Sequence, residues 1–312
     1  MALRNMRIWR YIDEVARVGS VRQAAERLSV TPSALLRRIQ DVEYDLSAPI
    51  FERHATGVKL TAAGEVLIRW IRSQNADLRR VYSQIEELSG LKRGEIRIAC
   101  SQAVARSFLL NEIIAFHAQH PMVKFKVTVT DHTTAIQSLA NYETDLVLVF
   151  RPSRSAELQT ILTVGQGLAA IMAADHPLAA RETVRIRECA AYDVALPEGS
   201  FGGREILEDR LAASSAKLNI VLEANSFDML ADFVANTQAI TFQIDIGALN
   251  WKSDPRFAVR SVSDLDSAYG PLVLGQFKGR ALPLAPAKFA EQLARKLDGL
   301  RSLPAPEHHD LP

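Results

Sequence analysis

SVRQAAERLSVTPSALLRRIQDVE, residues 20–43, reads as two short helices joined by a tight turn. Ser20 and Gln23 have the S-x-x-Q spacing of a capping box, in which the hydroxyl accepts an orphan N–H and the amide reaches back. Ala24, Ala25 and Leu28 follow as a small apolar face. Thr31 is a good N-cap, and Pro32 after it suits the first helical position. Leu35, Ile39, Val42 and Leu46 recur at four, three and four residues, the period of one buried helix face. The stretch is a helix-turn-helix, a motif that presents its second helix to the DNA major groove.

The opposite face of that second helix carries Pro32, Ser33, Leu36, Arg37 and Gln40. Ser33, Arg37 and Gln40 suit base edges or phosphates, and Leu36 suits a thymine methyl. Ser20, Arg22 and Thr31, at the two helix starts, join them as candidate DNA contacts. A merely solvated amphipathic helix is the bland alternative; two linked start signals and the wing that follows weigh against it. Residues 50–61, IFERHATGVKLT, form that wing. Ile50 and Phe51 are strand-like, Ala55-Thr56-Gly57 makes the tip, and Val58 and Leu60 alternate with Lys59. Arg53, His54 and Lys59 are placed beside the phosphate backbone. No second ligand sits at zinc spacing from His54, so it is read as a surface histidine.

The 312 residues suffice for two or three domains, and 48% hydrophobic with 23% charged content is ordinary for a globular protein. Net charge is only +1, but residues 1–60 hold ten Lys or Arg against seven Asp or Glu, leaving the rest at −2. A mildly basic head on a mildly acidic body fits a DNA reader joined to something else. Cys100 and Cys189 give neither a disulfide framework nor a zinc pattern. No signal peptide and no apolar run of membrane length is read, so a cytoplasmic protein without a membrane partner is expected.

Residues 4–18 should be a first helix, with Met6, Trp9, Ile12 and Val15 or Ala16 facing the other two. One long helix is expected from Thr61 to about Ser89. Leu67, Ile71, Gln74, Leu78, Val81, Ile85 and Leu88 alternate spacings of four and three, a heptad seam that asks for a partner helix and so for a dimer. Gly90, Lys92 and Gly94 mark a linker. From 94 onward strands alternate with helices: strands at 95–100, 124–130, 145–150, 167–173, 218–222, 239–243 and 271–277, helices at 105–118, 133–142, 203–213, 226–236 and 286–300. That order implies a parallel sheet with right-handed crossovers. The tail, 304–312, is Pro-rich and polar.

Residues 1–64 resemble the N-terminal winged helix-turn-helix of LysR-type transcriptional regulators. The matching residues are Gly19-Ser20, Ala24-Ala25, Leu28, Val30, Ala34-Leu35, Ile39, Glu43, Leu46, Phe51, Arg53, Leu60-Thr61 and Ala63-Gly64. Leu36 stands where the family usually has serine, Pro32 where glutamine is common, and Ser47 where a glycine often follows the leucine. The remainder is similar, more loosely, to the family's periplasmic-binding-protein-like effector domain. That match rests on GEIRIA at 94–99, Phe116, Pro121, Asp145-Leu146, His176-Pro177-Leu178-Ala179, Gly199-Ser200, Glu223-Ala224-Asn225-Ser226 and Phe289.

The resemblance implies an α/β multidomain chain: a winged helix-turn-helix over 1–60, a dimerising linker helix over 61–90 and an effector domain over 94–303. The latter would have one lobe of about 94–162 with 268–303 and another of about 163–267, joined by crossings near Phe150-Arg151 and Asp264–Ser267.

Ligands of open α/β sheets lie beyond the carboxyl ends of the strands. That rule, with the family's cleft, nominates Ser101, Gln102, Thr133, Phe150, Arg151, Ser200, Phe201 and Gln243. Any one of them is as well explained as a cap or turn residue. The helix start after Pro197–Gly203 favours an anion. Gly165-Gln166-Gly167-Leu168-Ala169-Ala170 spells a dinucleotide fingerprint, but a strand rather than a helix follows it, so no nucleotide site is read there.

The sequence thus describes a sequence-specific DNA-binding regulator, not an enzyme, with no catalytic residue, metal or resident cofactor. It expects a small-molecule effector, anionic for preference, a dimer or tetramer, and RNA polymerase as a further partner. The alternatives are a ligand-independent architectural DNA binder, or an α/β solute-binding or enzyme domain carrying a vestigial winged helix.

Overall fold

The computed structural model describes residues 2–55, 57–87, 93–199, 203–212, 217–263 and 270–300. The chain forms two compact units, Met1–Tyr82 and Ser83–Pro312. The first runs α1 (Ala2–Val18), α2 (Val21–Leu28), α3 (Pro32–Leu46), β1 (Phe51–His54), β2 (Gly57–Leu60) and α4 (Ala62–Glu87). Both sequence-predicted N-caps form, the Ser20 hydroxyl accepting from the Gln23 N–H and that of Thr31 from the Ala34 N–H, but the return bond from the Gln23 amide expected of a capping box is absent among the described residues. Ile12, Val15, Ala24, Ala25, Leu35 and Ile39 close a core with Ile50, Ile68 and Ile71. Leu46 departs from the expected buried face at 48% exposure, because α3 ends there, beyond the reach of α1. Ser47 then turns the chain in the left-handed region, φ 51°, where glycine is the residue without a steric cost.

The long helix exists, but its seam needs correcting. Ile71 is fully buried in the first unit's own core and Leu67 packs against it, so these two serve the fold rather than a partner. One position earlier, Val66 and Trp70 are exposed, and Trp70 meets Trp9 edge-on with ring centroids 4.8 Å apart. Val81 and Ile85 remain exposed, as expected of an open seam, while Leu78 is half-buried. Leu88 lies outside the described residues, as do Gly90, Lys92 and the tail.

The second unit holds two lobes. It opens with β3 (Gly94–Cys100), α5 (Gln102–Val104), a π-helical turn (Ala105–Leu109), α6 (Leu110–Gln119), β4 (Val123–Val129), α7 (His132–Ala140), β5 (Leu146–Phe150) and β6 (Leu158–Gln166). Then come β7 (Leu168–Ala173), β8 (Thr183–Val184), α8 (Ile186–Cys189), β9 (Asp193–Pro197), α9 (Gly203–Ala212), β10 (Asn219–Ala224), α10 (Phe227–Ala235), β11 (Thr241–Ile244), α11 (Leu249–Lys252) and β12 (Phe257–Val262). β13 (Gly270–Phe277) and α12 (Leu284–Asp298) complete it.

The first lobe's sheet has the order β4-β3-β5-β13-β6. β3 runs parallel to β4 and β5, as expected; β13 returns antiparallel between β5 and β6. Phe116, Phe125 and Phe289 pack edge to face beneath it, 5.1 to 5.9 Å between centroids. The second lobe pairs β11-β7-β12-β8 and β10-β9, bridged at Val194 and Ile240. Sequence periodicity missed β6, β8, β9 and β12, which are short or alternate weakly.

One expected crossing moves. β5 and β6 share a sheet, so the chain leaves the first lobe at Gly167, between β6 and β7, and not at Phe150-Arg151. Gly167 donates its N–H to the Asp245 carboxylate at 2.9 Å, and a Cβ there would stand 2.8 Å from that oxygen. The fingerprint-like glycine therefore sits at the crossover between the lobes, held there by Asp245. The other crossing, 264–267, lies outside the described residues. None of the described helices is long and apolar enough to cross a membrane.

A Cβ on Gly64 would stand 2.1 Å from the Ile50 carbonyl oxygen. Gly64→Ala should therefore cost about 1–3 kcal/mol by overpacking against backbone. Ser47→Gly should instead gain about 0.5–1 kcal/mol by relieving the left-handed turn. Chemical denaturation of the two variants, with opposite shifts in midpoint, checks both.

Candidate functional site

On the first unit, Pro32, Ser33, Arg37 and Gln40 of α3 are exposed together, with Leu36 half-buried at their edge. The N-terminus of α3 presents the Thr31 hydroxyl 3.3 Å from that of Ser33. Arg37, Arg53 and Lys59 make no hydrogen bond or ion pair with any described residue, so their charges are free for an external partner. Arg22 by contrast reaches Glu26 at 3.4 Å, and the His54 ring lies 3.0 Å from the Glu52 carboxylate on its own strand.

β1 and β2 pair antiparallel, Phe51 with Leu60 through His54 with Gly57, and stand beside α3 as the expected wing. The tip residue Thr56 lies outside the described residues. Three contacts fix the wing's angle. The Glu43 carboxylate of α3 accepts from the N–H groups of Ile50 and Phe51 at 2.7 and 3.2 Å. Thr61 donates its hydroxyl to the Pro49 carbonyl at 2.6 Å and accepts the Gly64 N–H at 3.0 Å, starting α4. Val58 donates to the Gly19 carbonyl at 2.8 Å, an approach that a Cβ on Gly57 would bar at 2.2 Å. A groove of about 330 Å³ runs between α3 and the wing, lined by Val21, Leu36, Ile39, Phe51 and Val58 and rimmed by Gln40 and Arg53.

The second unit carries a cavity of about 540 Å³ between its lobes. Gln102 and Gln243, both nominated from sequence, line it. Gln243 is 1% exposed; its Oε1 accepts the Ile244 N–H at 2.9 Å, while Nε2 is buried with no hydrogen-bond partner among the described residues. The π-helical turn supplies Arg106 and Ser107 from one lobe, and Phe227, Asp228 and Trp251 come from the other. Arg106 and Asp228 form an ion pair across the lobes. Arg256 pairs with Asp254 at 2.8 Å and Asp232 at 3.4 Å.

Of the remaining nominees, Ser101, Thr133, Phe150 and Arg151 are not among the described walls of this cavity. The Ser101 hydroxyl accepts the Phe150 N–H at 3.2 Å, tying β3 to β5. Thr133 is exposed, and its neighbour Asp131 caps α7, its carboxyl held low by the Thr134 hydroxyl and N–H. Phe150 is a core residue, its ring filling the space a Cβ on Gly270 would need. Arg151 sits at φ 45° and pairs with Asp209 of the other lobe at 2.8 Å. Ser200 and Phe201 lie outside the described residues. Arg106, Asp228 and Trp251 escaped sequence reasoning because they sit on helix faces, where periodicity reports only burial.

Cys100 and Cys189 are buried, and burial pushes the Cys100 thiol up to about 12. Among the described residues no group of His, Cys, Asp and Glu is arranged to hold a metal.

Comparison with known proteins gives the same two-part division. The sequence profile of the bacterial regulatory helix-turn-helix protein, lysR family, matches residues 6–65, and that of the LysR substrate binding domain matches 89–298. The RuBisCO operon transcriptional regulator of Allochromatium vinosum is 28% identical over 208 residues, 67% of this chain and 68% of that protein. A cysteine-to-aspartate variant of full-length OxyR from Pseudomonas aeruginosa superposes with a TM-score of 0.70 at 18% identity, covering 98% of each chain. Full-length CbnR in complex with its target DNA gives 0.63 at 18% identity, covering 94% of this chain and 99% of that one.

Burial that pushes the Cys100 thiol far above its ordinary value keeps it protonated and therefore a poor nucleophile at pH 8. Iodoacetamide at pH 8 should leave Cys100 unmodified in the folded protein and alkylate it fully in urea. Peptide mass analysis checks this, and native labelling within minutes would contradict the burial.

Proposed function

The chain belongs to the lysR family of DNA-binding transcriptional regulators, and we propose that it grips a dyad-symmetric operator as a dimer whose hold on DNA changes when a small molecule enters the inter-lobe cavity. The observation that carries the DNA half is the exposed face of α3 with Arg37, Arg53 and Lys59 unpaired around it. Free guanidinium and ammonium groups beside a helix N-terminus suit phosphates and the guanine edge. The Ser33 hydroxyl and the Gln40 amide add donors and acceptors to the same face.

The dimer rests on α4. Val66, Trp70, Leu78, Val81 and Ile85 follow one another at four or three residues if Gln74 is counted between them, and four of the five apolar positions are exposed. Exposed Leu110 and Ile114 on α6 and Val127 and Val129 on the edge strand β4 offer a second apolar surface, which supports assembly beyond a dimer.

The ligand half rests on the cavity. Its size suits a small organic molecule, and its lining includes Gln243, whose buried Nε2 has no partner among the described residues. The described walls bring two guanidinium groups and three carboxylates, all paired. That balance supports a neutral or zwitterionic ligand with a hydrogen-bond acceptor, rather than the anion expected from the 197–203 loop. The cytoplasm is the compartment such a regulator needs.

Footprinting on the DNA beside its own gene tests the proposal: a dyad-symmetric protected site is expected, and uniform or absent protection would sink it. Arg37→Ala should lose about 1–3 kcal/mol focused on one base pair per half-site if it reads guanine. A loss spread evenly over sequences, with a shallower salt dependence, would assign it to phosphate. Paired Val81→Glu and Ile85→Glu substitutions should lower the mass in light scattering to that of one chain; an unchanged mass would remove α4 from the interface.

A further inference from the structure

α3 presents an unusual mixture to DNA. Ser33, Arg37 and Gln40 are polar and exposed, but Pro32 and Leu36 stand among them one turn apart, making a short apolar stripe. Leu36 is half-buried where the core face gives way to the exposed face. It is not used to close the core, which Leu35 and Ile39 fill from the adjacent face. Instead Leu36 forms one wall of the groove of about 330 Å³ between α3 and the wing, with Val21, Phe51 and Val58 continuing the apolar surface. Ser20, Gln40, Glu43, Arg53 and His54 supply the polar part of its lining. Pro32 and the Leu36 side chain themselves offer only carbon, so a base edge lying against them meets an apolar surface. In the major groove the base-pair edge that offers carbon is thymine, through its C5-methyl group.

Resting on the DNA-binding proposal above, we propose that Leu36 is a specificity-determining residue that selects thymine by apolar contact with its 5-methyl group, with Pro32 extending the same contact surface. The operator would then carry a thymine at one symmetric position of each half-site that no hydrogen bond from the protein explains. The discrimination is against cytosine, which lacks the methyl and offers an amine, and equally against uracil, which differs from thymine by the methyl alone.

The test uses the full-length protein. Binding sites are first selected from random duplex DNA, and each thymine of the preferred site is then replaced singly by deoxyuridine. One symmetry-related pair of positions should lose about fourfold in affinity per half-site, the equivalent of ~0.8 kcal/mol for one buried methyl group. Leu36→Ser should bind the thymine and deoxyuridine duplexes equally, while Leu36→Met, which keeps the apolar wall, should retain the preference. Thermal melting of each variant shows that it is folded. Equal affinity of the wild type for thymine and deoxyuridine at every position would overturn the proposal. So would a deoxyuridine penalty that Leu36→Ser retains in full. Selection that enriches no sequence would instead overturn sequence-specific binding itself, before Leu36 is reached.

Discussion

One carboxylate sets the geometry of the DNA-binding unit. Glu43, near the end of α3, accepts the N–H groups of both Ile50 and Phe51, where the chain enters the wing. An ionised acceptor makes these stronger than ordinary backbone bonds. They transmit the orientation of α3 directly to β1. Thr61 and Gly64 complete the lock from the other side, since only a residue without Cβ lets α4 approach the Ile50 carbonyl. The spacing between Arg37 on the helix and Arg53 and Lys59 on the wing follows from this clamp, and with it the width of DNA backbone that the unit can straddle.

The second unit solves a different problem. A cavity between two lobes needs strand ends facing a common space and a chain path that passes from one lobe to the other. β3 and β4 end on one side of the cavity and β11 ends on the other. Gly167 carries the chain across with a backbone bond to Asp245, and the Arg106–Asp228 and Arg151–Asp209 pairs span the lobes. The Arg106–Asp228 pair is largely solvated and so contributes little to stability.

Much of this was legible in advance. The caps at Ser20 and Thr31, the wing and the parallel β3-β4-β5 core follow from local patterns that their own backbone hydrogen bonds enforce. The seam of α4 was legible as a period but not as a face. Leu67 and Ile71 share their repeat with Val66 and Trp70, one residue out of phase, and only packing against α1 decides which pair is buried. The nominated cleft residues divided for a related reason. The strand-end rule locates a neighbourhood, and within it Ser101 and Phe150 went to internal bonding and core while Gln102 and Gln243 reached the cavity.

By itself the sequence determined the helix-turn-helix, the wing and the family to which the chain belongs. These depend on contacts between residues close along the chain, where period and capping chemistry are sufficient. The tertiary structure decided the rest: the antiparallel return of β13, the crossover at Gly167, the burial of Phe150, the clamp at Glu43 and the apolar groove beside Leu36. Each of these joins residues far apart in the chain or turns on a fraction of an ångström of space, and neither leaves a mark in a local pattern.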